Sequence, residues 1–206
     1  MRRAGDILYN FHWVVPGEAS RAMQAWAGGL GAFLRRRGIR AVINLRGRND
    51  DLDWWKKETA IAQAQGIAHL DAMLDSRKIP TREMLARLVD CFNTAPRPFL
   101  LKCSGGQDRT SFAAALYLIH RDGWAAMDRA RAQYARFPYL HFPKRQQRWL
   151  KAFLDFAHED AGGLPLAQWL TQRYTPEAAK AWMDSHGLAD GYGAIFTAPT
   201  RSPFQW

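Results

Sequence analysis

A cysteine and an arginine six positions apart are the residues of this chain best suited to covalent chemistry. Cys103 and Arg109 enclose a glycine pair, Gly105 and Gly106, and Thr110 follows the arginine. Consecutive glycines let backbone N–H groups point inward toward one anion. A cysteine beside such amides at a helix N-terminus has a lowered pKa and is a nucleophile at neutral pH. The spacing therefore predicts a thiolate that attacks a phosphate held in the same turn.

The segments on either side of this turn indicate how it is positioned. An apolar run ends at Lys102 and predicts a buried strand, whereas residues 110–120 carry apolar side chains at helical spacing. The positive end of that helix dipole adds to the field of the turn. The planar fork of Arg109 suits two phosphate oxygens, and the Thr110 hydroxyl suits a hydrogen bond to the sulfur. The predicted phosphate-binding residues are Ser104, Gly105, Gly106, Gln107, Asp108 and Arg109.

The segment from Cys103 to Thr110 resembles the Cys-x5-Arg-Ser/Thr phosphate-binding loop of the cysteine-dependent phosphatases, the superfamily of protein tyrosine and dual-specificity phosphatases. Its Asp-Arg-Thr ending is similar to that of a bacterial subgroup and of the myotubularin lipid phosphatases. Phrases at 10–21 and 38–47 resemble the atypical dual-specificity phosphatases of bacteria and fungi. The resemblance covers about residues 10–158 and implies a phosphocysteine intermediate on Cys103, with no metal and no organic cofactor.

The resemblance also implies a general acid, because an alkoxide or phenoxide leaving group needs a proton. Phosphatases of this superfamily keep an aspartic acid on a loop between a strand and a helix, upstream of the cysteine. Asp75 lies 28 positions before Cys103, just ahead of a predicted helix, and is the first candidate. Asp71 is the second. Asp108, inside the loop itself, is the third, a role that the myotubularin-like ending implies, and the sequence does not decide among them.

One residue departs from the superfamily pattern. Most members carry a histidine immediately before the nucleophile, whereas this chain has Lys102. We expect Lys102 to lower the pKa of Cys103 or to reach outward to an acidic substrate, unless it marks a weakened enzyme. With Arg46 and Asp71 it is a candidate for the rim of the site, although an ordinary solvent arginine is equally expected at position 46. His141 either orients the loop or, as we expect more, packs in the core.

The charge balance favours an anionic substrate. The chain has 29 Lys and Arg against 19 Asp and Glu, a net charge of +10. This balance suits a polyanion, nucleic acid or an acidic membrane surface, but the basic residues are spread along the chain, so no nucleic-acid partner is expected. Two cysteines without metal-ligand spacing argue against a disulfide framework or a metal site. Apolar runs are too short to span a bilayer, and a working thiolate fits the cytoplasm.

The order of the predicted elements indicates an α/β fold. Strands at 39–45 and 67–70 are separated by a helix at 53–65, which predicts a central, mostly parallel sheet flanked by helices, as in the dual-specificity phosphatases. We expect residues 1–206 to form a single phosphatase-like domain. Its core covers about residues 10–160, and a C-terminal helical extension covers about 161–206.

These features predict a phosphomonoester hydrolase, with protein tyrosine or dual-specificity phosphatase activity as the first expectation. The expected partner is a phosphorylated protein or a polyanionic small molecule. An inositol phosphate or phosphoinositide phosphatase is the alternative, because of the Asp-Arg-Thr ending, Lys102 and the basic balance. A phosphate-binding pseudophosphatase is the alternative of a different class, although Cys103, Arg109 and Thr110 are intact. A rhodanese-like sulfurtransferase is a third, weaker alternative.

Overall fold

The computed structural model describes residues 4–25 and 27–198 and places a five-stranded sheet at its centre. The described residues include seven strands: β1 His12–Val15, β2 Ala19–Met23, β3 Ala41–Asn44, β4 Ala68–Asp71, β5 Lys78–Ile79, β6 Phe99–Cys103 and β7 Ala194–Ile195. The central sheet has the order β1-β2-β6-β3-β4, and β5 pairs with β7 in a separate two-stranded sheet.

Four of the five central strands are parallel, and β6 lies in the middle between β2 and β3. Only β1, at one edge, runs antiparallel. Parallel strands place their carboxyl ends at the same edge of the sheet, which is where ligands bind in open α/β folds. Met23 pairs with Cys103 at that edge. The predicted α/β architecture with a mostly parallel sheet is therefore confirmed.

Helices cover both faces of this sheet. The described residues include nine α-helices: α1 Ala4–Leu8, α2 Ala27–Arg36, α3 Asp53–Ala64, α4 Arg82–Thr94, α5 Asp108–Asp122, α6 Met127–Ala132, α7 Trp149–Ala161, α8 Leu166–Gln172 and α9 Pro176–Ser185. A 3₁₀ turn, Trp124–Ala126, leads directly into α6. Thr81 caps α4 by accepting a hydrogen bond from Met84 N, which explains why that helix begins there.

The alternation of side chains along β6 divides the core into two clusters. Phe99, Leu101 and Cys103 face the larger cluster, which α4, α5 and α7 complete. Leu100 faces the smaller cluster, formed with α2 and α3. Helix α5 begins at the end of β6 and packs back against the sheet, and its run Ala113–Ala115 is small enough for close approach. This strand–loop–helix unit positions the site.

The C-terminal helices pack into the larger cluster. The buried residues there are Trp169 of α8, Tyr174 between α8 and α9, and Met183 of α9. The β5–β7 pair joins residues 194–195 to the segment before α4. The sequence analysis did not predict this pair, because strands of two residues are too short to show a periodicity. Part of the predicted extension, residues 199–206, lies outside the described residues. None of the described helices is long and apolar enough to cross a membrane.

Candidate active site

Cys103 ends the central strand, and its thiol lies at the carboxyl edge of the sheet. The residue is buried, with 3% of its surface exposed. Thr110 Oγ1 donates a hydrogen bond to its Sγ at 3.0 Å, and the backbone N–H of Gly106 bonds to the same sulfur. Helix α5 begins at Asp108, so its positive dipole end faces this loop. The sulfur therefore has the donors that a thiolate needs.

The electrostatics of the loop favour the thiolate form. Burial by itself raises the pKa of Cys103, because the charged form loses solvation. The Arg109 guanidinium, the Thr110 hydroxyl and the Gly106 N–H act in the opposite direction, while the Asp108 carboxylate opposes them. The net effect lowers the pKa of Cys103 below its ordinary value.

Gly106 is required by the shape of the loop. Its φ is +63°, in the region that favours glycine. A Cβ at this position would lie 2.5 Å from Met23 N and 2.7 Å from the carbonyl carbon of Ala22, both backbone atoms of β2. The Gly106 carbonyl points away from the sulfur and accepts hydrogen bonds from Arg21 at 3.1 Å and Asn10 at 3.3 Å. These two hydrogen bonds hold the loop against β2 and the segment before β1.

Arg21 forms the floor of the loop, and the sequence analysis did not identify it. The residue is fully buried. Besides Gly106 O, its guanidinium donates to Ser111 Oγ at 2.8 Å and to the Gln133 carbonyl at 2.9 Å, and it lies 4.2 Å from the centre of the Tyr139 ring. No carboxylate pairs with it in the described part of the chain. Burial lowers its pKa to about 10, so it stays charged at neutral pH.

A sequence signal for Arg21 existed. The segment from Ala19 to Ala22 is a run of small residues with an arginine inside it. Arginine is almost never fully buried unless its guanidinium has partners. An arginine in a central strand therefore indicates a site that holds hydrogen-bond acceptors or an anion.

The remaining loop residues form the turn between β6 and α5. Arg109 is the second residue of α5. It donates a hydrogen bond to Ser104 Oγ at 2.7 Å, so its guanidinium folds back over the loop. The Gln107 carbonyl accepts a hydrogen bond from Ser111 N and starts the helix. Gly105 has open space around its Cα apart from the Gln107 side chain. The structure thus brings together all the predicted loop residues, 103–110.

Asp108 contacts two side chains from the segment between α6 and α7. Its Oδ2 accepts a hydrogen bond from Gln147 Nε2 at 3.0 Å, and its Oδ1 lies 3.4 Å from His141 Nε2. The other nitrogen of the His141 ring, Nδ1, lies 3.2 Å from the Tyr134 carbonyl. His141 therefore contacts a loop residue as well as packing in the core. Gln147 was not identified from sequence.

Asp75 lies on the segment between β4 and β5. It is buried, and its Oδ1 accepts a hydrogen bond from Arg77 N at 2.8 Å. Its neighbour Ser76 contacts Gln147 Nε2 at 3.2 Å, the same nitrogen that donates to Asp108. The segment carrying Asp75 therefore adjoins the phosphate loop.

Asp71 is committed to other contacts. Its Oδ1 accepts a hydrogen bond from Asn44 Nδ2 at 2.7 Å, and Trp55 Nε1 lies 3.2 Å from each carboxylate oxygen. It ends β4, which is two strands away from β6. These contacts join β3, β4 and α3 and give Asp71 a structural role at the sheet edge.

Lys102 does not reach outward to the rim, which corrects one of the two roles expected for it. Its residue is 2% exposed, and its Nζ lies 2.6 Å from Glu58 Oε1 and 2.7 Å from Gln24 Oε1. Glu58 is equally buried and also bonds His69 at 2.8 Å. Lys102 precedes Cys103 in a strand, so its side chain points to the opposite face of the sheet. Arg109 and Thr110 are the larger influences on the Cys103 pKa.

Arg46 lies beside the loop without an acidic partner. Its guanidinium stacks 3.6 Å from the centre of the Trp54 ring, and its buried Nη1 has no hydrogen-bond partner in the described residues. Burial lowers its pKa to about 10, with Arg109 repelling it and Cys103 attracting it. It is thus not a solvent arginine, whereas the nearby Arg48 is exposed and pairs with Asp50. Arg46 and Arg109 both present positive charge to the sulfur.

The chain is similar to phosphatases of known sequence family and known structure. A family model described as a DSP-PTPase phosphatase fused to NAD+ kinase matches residues 20–145, more than half of the chain. TpbA from P. aeruginosa superposes with a TM-score of 0.60 at 20% identity, over 82% of this chain and 96% of that one. The core catalytic domain of the PP-IP phosphatase SIW14 from S. cerevisiae gives 0.52 at 16% identity, over 87% and 93%. No curated protein sequence matches the chain significantly.

A third solved structure, that of PTPMT1, has a TM-score of 0.50 at 15% identity and covers 74% of this chain and 98% of that one. At such low sequence identities these structural likenesses establish only the fold, whereas the family match over more than half of the chain shows the family. The chain belongs to this family of DSP-PTPase domains and is a cysteine-dependent phosphatase.

Proposed function

We propose that the chain hydrolyses phosphate monoesters through a phosphocysteine formed on Cys103. The observation that carries the proposal is the Thr110–Cys103 hydrogen bond of 3.0 Å inside a loop that also holds Arg109. A site built only to bind phosphate would not need a thiol with a lowered pKa. We also propose that residues 1–206 act as one phosphatase-like domain in a reducing compartment such as the cytoplasm.

The first step transfers the phosphoryl group to sulfur. The Cys103 thiolate attacks phosphorus, a sulfur–phosphorus bond forms, and the ester oxygen–phosphorus bond breaks. The loop amides at 104–109 and the Arg109 fork stabilise the charge on the equatorial oxygens. Arg21 holds the Gly106 carbonyl from below and keeps those amides directed at the phosphate.

The leaving oxygen takes its proton from Asp108, which shares it with His141. His141 Nδ1 faces the Tyr134 carbonyl, so it carries a hydrogen. If Nε2 and Asp108 Oδ1 then both lacked a proton, two lone pairs would face each other across 3.4 Å. One proton between them removes this repulsion. This is the specific observation that favours Asp108 over Asp75, which remains the alternative general acid.

The second step restores the enzyme. Water attacks phosphorus, the proton it loses returns to the Asp108–His141 pair, and the sulfur–phosphorus bond breaks. Inorganic phosphate leaves, and the Thr110 hydroxyl stabilises the departing thiolate at Cys103. The proton that the leaving oxygen took in the first step is thus replaced by a proton from water.

For the substrate, Arg46 favours a polyanion over a singly phosphorylated protein. It adds a second guanidinium beside Arg109 that forms no ion pair in the described residues, since Glu58, which attracts it, is paired with Lys102. An inositol phosphate or phosphoinositide carries a second phosphate that such a charge would hold. SIW14, which shares the fold, is itself a PP-IP phosphatase. A phosphoprotein remains the alternative substrate.

The catalytic proposal is tested by phosphate release from a small aryl phosphate, with reductant and without added metal. We expect turnover by the parent and none by Cys103→Ser. Rapid quenching of the parent during turnover should trap phosphate on Cys103, as located by mass spectrometry. If both proteins are inactive but bind inorganic phosphate equally, the chain is a phosphate-binding module and the proposal is wrong.

The substrate is tested by comparing Arg46→Gln with Arg48→Gln on inositol polyphosphates, phosphotyrosyl peptides and the aryl phosphate. Arg48 is the matched control, because it is exposed and already paired. We expect Arg46→Gln to lower kcat/KM for inositol polyphosphates about tenfold or more, with a smaller loss on the aryl phosphate. An equal loss on all three substrates would exclude a second-phosphate role.

A further inference from the structure

Five large apolar side chains are exposed in the described part of the chain, and they lie close together along two segments. They are Ile7, Leu8, Phe137, Leu140 and Phe142, and we call them the apolar rim. Phe137 is 71% exposed and Ile7 70%. Exposed apolar residues on a soluble protein are usually scattered singly, and a group of them indicates an interaction surface.

The two segments of the apolar rim meet beside the phosphate loop. Asn10 Nδ2, which follows Ile7 and Leu8, donates to the Tyr139 carbonyl at 3.0 Å and to the Gly106 carbonyl at 3.3 Å. The Tyr9 carbonyl accepts a hydrogen bond from Met23 N, at the carboxyl end of β2. Both segments therefore lie at the same edge of the sheet as the active site.

Alternate residues of the second segment are held inward, and those between them point out. The Tyr139 ring stacks on Arg21, and His141 is buried between Tyr134 and Asp108. Leu140, between these two anchors, has a φ of +56°, a conformation that a branched residue adopts only when its surroundings fix it. The exposed side chains of this segment are thus presented by an anchored backbone.

The charge along the second segment of the apolar rim has one sign, whereas in the first segment Asp6 pairs with Arg37. Residues 136–148 contain Arg136, Lys144, Arg145 and Arg148 and neither Asp nor Glu. Arg136 stacks 5.2 Å from the centre of the Phe142 ring, and Arg145 pairs with Asp190 across the chain. The other three cations have no ion pair in the described residues. A second copy of this chain would bring the same positive charge and be repelled.

We infer that the apolar rim and its basic residues form a docking surface for an anionic lipid bilayer. Aromatic and aliphatic side chains enter the boundary between headgroups and acyl chains, while Arg and Lys beside them contact anionic headgroups. Docked in this way, the phosphate loop lies against the headgroup layer. The inference concerns binding and does not depend on the proposed turnover.

The test is sedimentation of the full chain with vesicles of phosphatidylcholine alone or mixed with phosphatidylserine. We expect the parent to bind only the mixed vesicles. The double change Arg136→Glu with Lys144→Glu should lower the partition coefficient about tenfold or more, and Phe137→Ser with Phe142→Ser should lower it as strongly.

The matched control is Arg40→Glu with Arg97→Glu, which changes the net charge equally at the amino edge of the sheet. These two residues precede β3 and β6, and Arg40 Nη1 donates to the Arg97 carbonyl at 3.4 Å. It should bind the mixed vesicles nearly as the parent does. Equal weakening by both charge reversals, or parent-like binding by the Phe137→Ser and Phe142→Ser variant, would overturn the inference, as would a parent that fails to bind. Aryl phosphatase activity and thermal unfolding check that each variant is folded, and light scattering without vesicles reports self-association, which would also contradict it.

Discussion

Lys102 and Cys103 are consecutive residues of β6, yet their side chains lie on opposite faces of the sheet. Lys102 Nζ lies 2.6 Å from Glu58 in the layer of α3, whereas Cys103 Sγ lies 3.0 Å from Thr110 in the layer of α5. The buried ion pair and the thiolate are therefore separate structures. Changes to one can be made without removing the partners of the other.

The ion pair predicts a non-additive effect on stability. Lys102→Met should lower the free energy of unfolding by about 3–5 kcal/mol, because it leaves the Glu58 carboxylate buried without its cation. Adding Glu58→Leu should recover most of this loss, since an apolar pair replaces the charged one. Urea unfolding of the parent, both single variants and the double variant measures the coupling. Additive losses would contradict a direct pair.

The same pair predicts how stability changes in acid. Burial by itself raises the pKa of Glu58, but the Lys102 ammonium and the His69 hydrogen bond lower it from 4.5 to about 2. A carboxyl with a depressed folded-state pKa contributes stability above its unfolded pKa and loses that contribution as the pH falls toward the folded value. The parent should lose up to about 3 kcal/mol between pH 5 and pH 2 through this group. The Lys102→Met and Glu58→Leu double variant should lack this part of the slope.

Thr110 predicts a shift in the pH dependence of the nucleophile. Thr110→Val removes a hydrogen bond that stabilises the thiolate, so the pKa of Cys103 should rise. The rate of alkylation by iodoacetamide, mapped by mass spectrometry to Cys103 or to the buried Cys91, should then reach half its maximum at a higher pH. Thr110→Ser keeps the hydroxyl and should follow the parent. A shift toward lower pH would show that the hydroxyl does not stabilise the thiolate.

The two loop glycines should respond differently to alanine. Gly106→Ala places a Cβ 2.5 Å from Met23 N, so the loop or β2 must move. We expect aryl phosphatase activity to fall at least about a hundredfold and the unfolding temperature to drop. Gly105→Ala meets only the end of the Gln107 side chain and should keep most of both. Similar losses in the two variants would show that the close contact is not what matters.

The Asp108–His141 pair predicts a dependence on the leaving group. Asp108→Asn should lower kcat on an alkyl phosphate by about 10²–10⁴ and on a nitrophenyl phosphate much less, because nitrophenolate leaves without a proton. His141→Phe should show the same preference, which a purely structural role would not produce. Asp75→Asn is the comparison. If it shows the leaving-group dependence and Asp108→Asn does not, Asp75 is the general acid.

The sequence identified the phosphate loop because its residues are contiguous and their order carries the chemistry. The strand before the loop and the helix after it follow from periodicity, and both have close to the predicted bounds. The sequence analysis was wrong to offer Lys102 for the rim, because the two-residue period of a strand turns its side chain to the face opposite Cys103. That argument was within reach of the sequence alone.

Other parts of the site depend on contacts between distant segments. Arg21 reaches the Gly106 carbonyl across 85 positions, and Gln147 reaches Asp108 across 39. No local pattern fixes which loop a buried arginine supports.

Arg21 shows how the protein balances two demands. Its charge is buried, its four donated hydrogen bonds go to neutral groups, and no carboxylate pairs with it in the described chain, although the Cys103 thiolate attracts it. A thiolate or a phosphate dianion above the loop is the nearest opposite charge that the reaction supplies. We expect an apolar residue in its place to remove a buried charge but to weaken phosphate binding, because a bound phosphate adds negative charge near this guanidinium. Thermal stability and affinity for phosphate therefore make opposite demands on this one arginine.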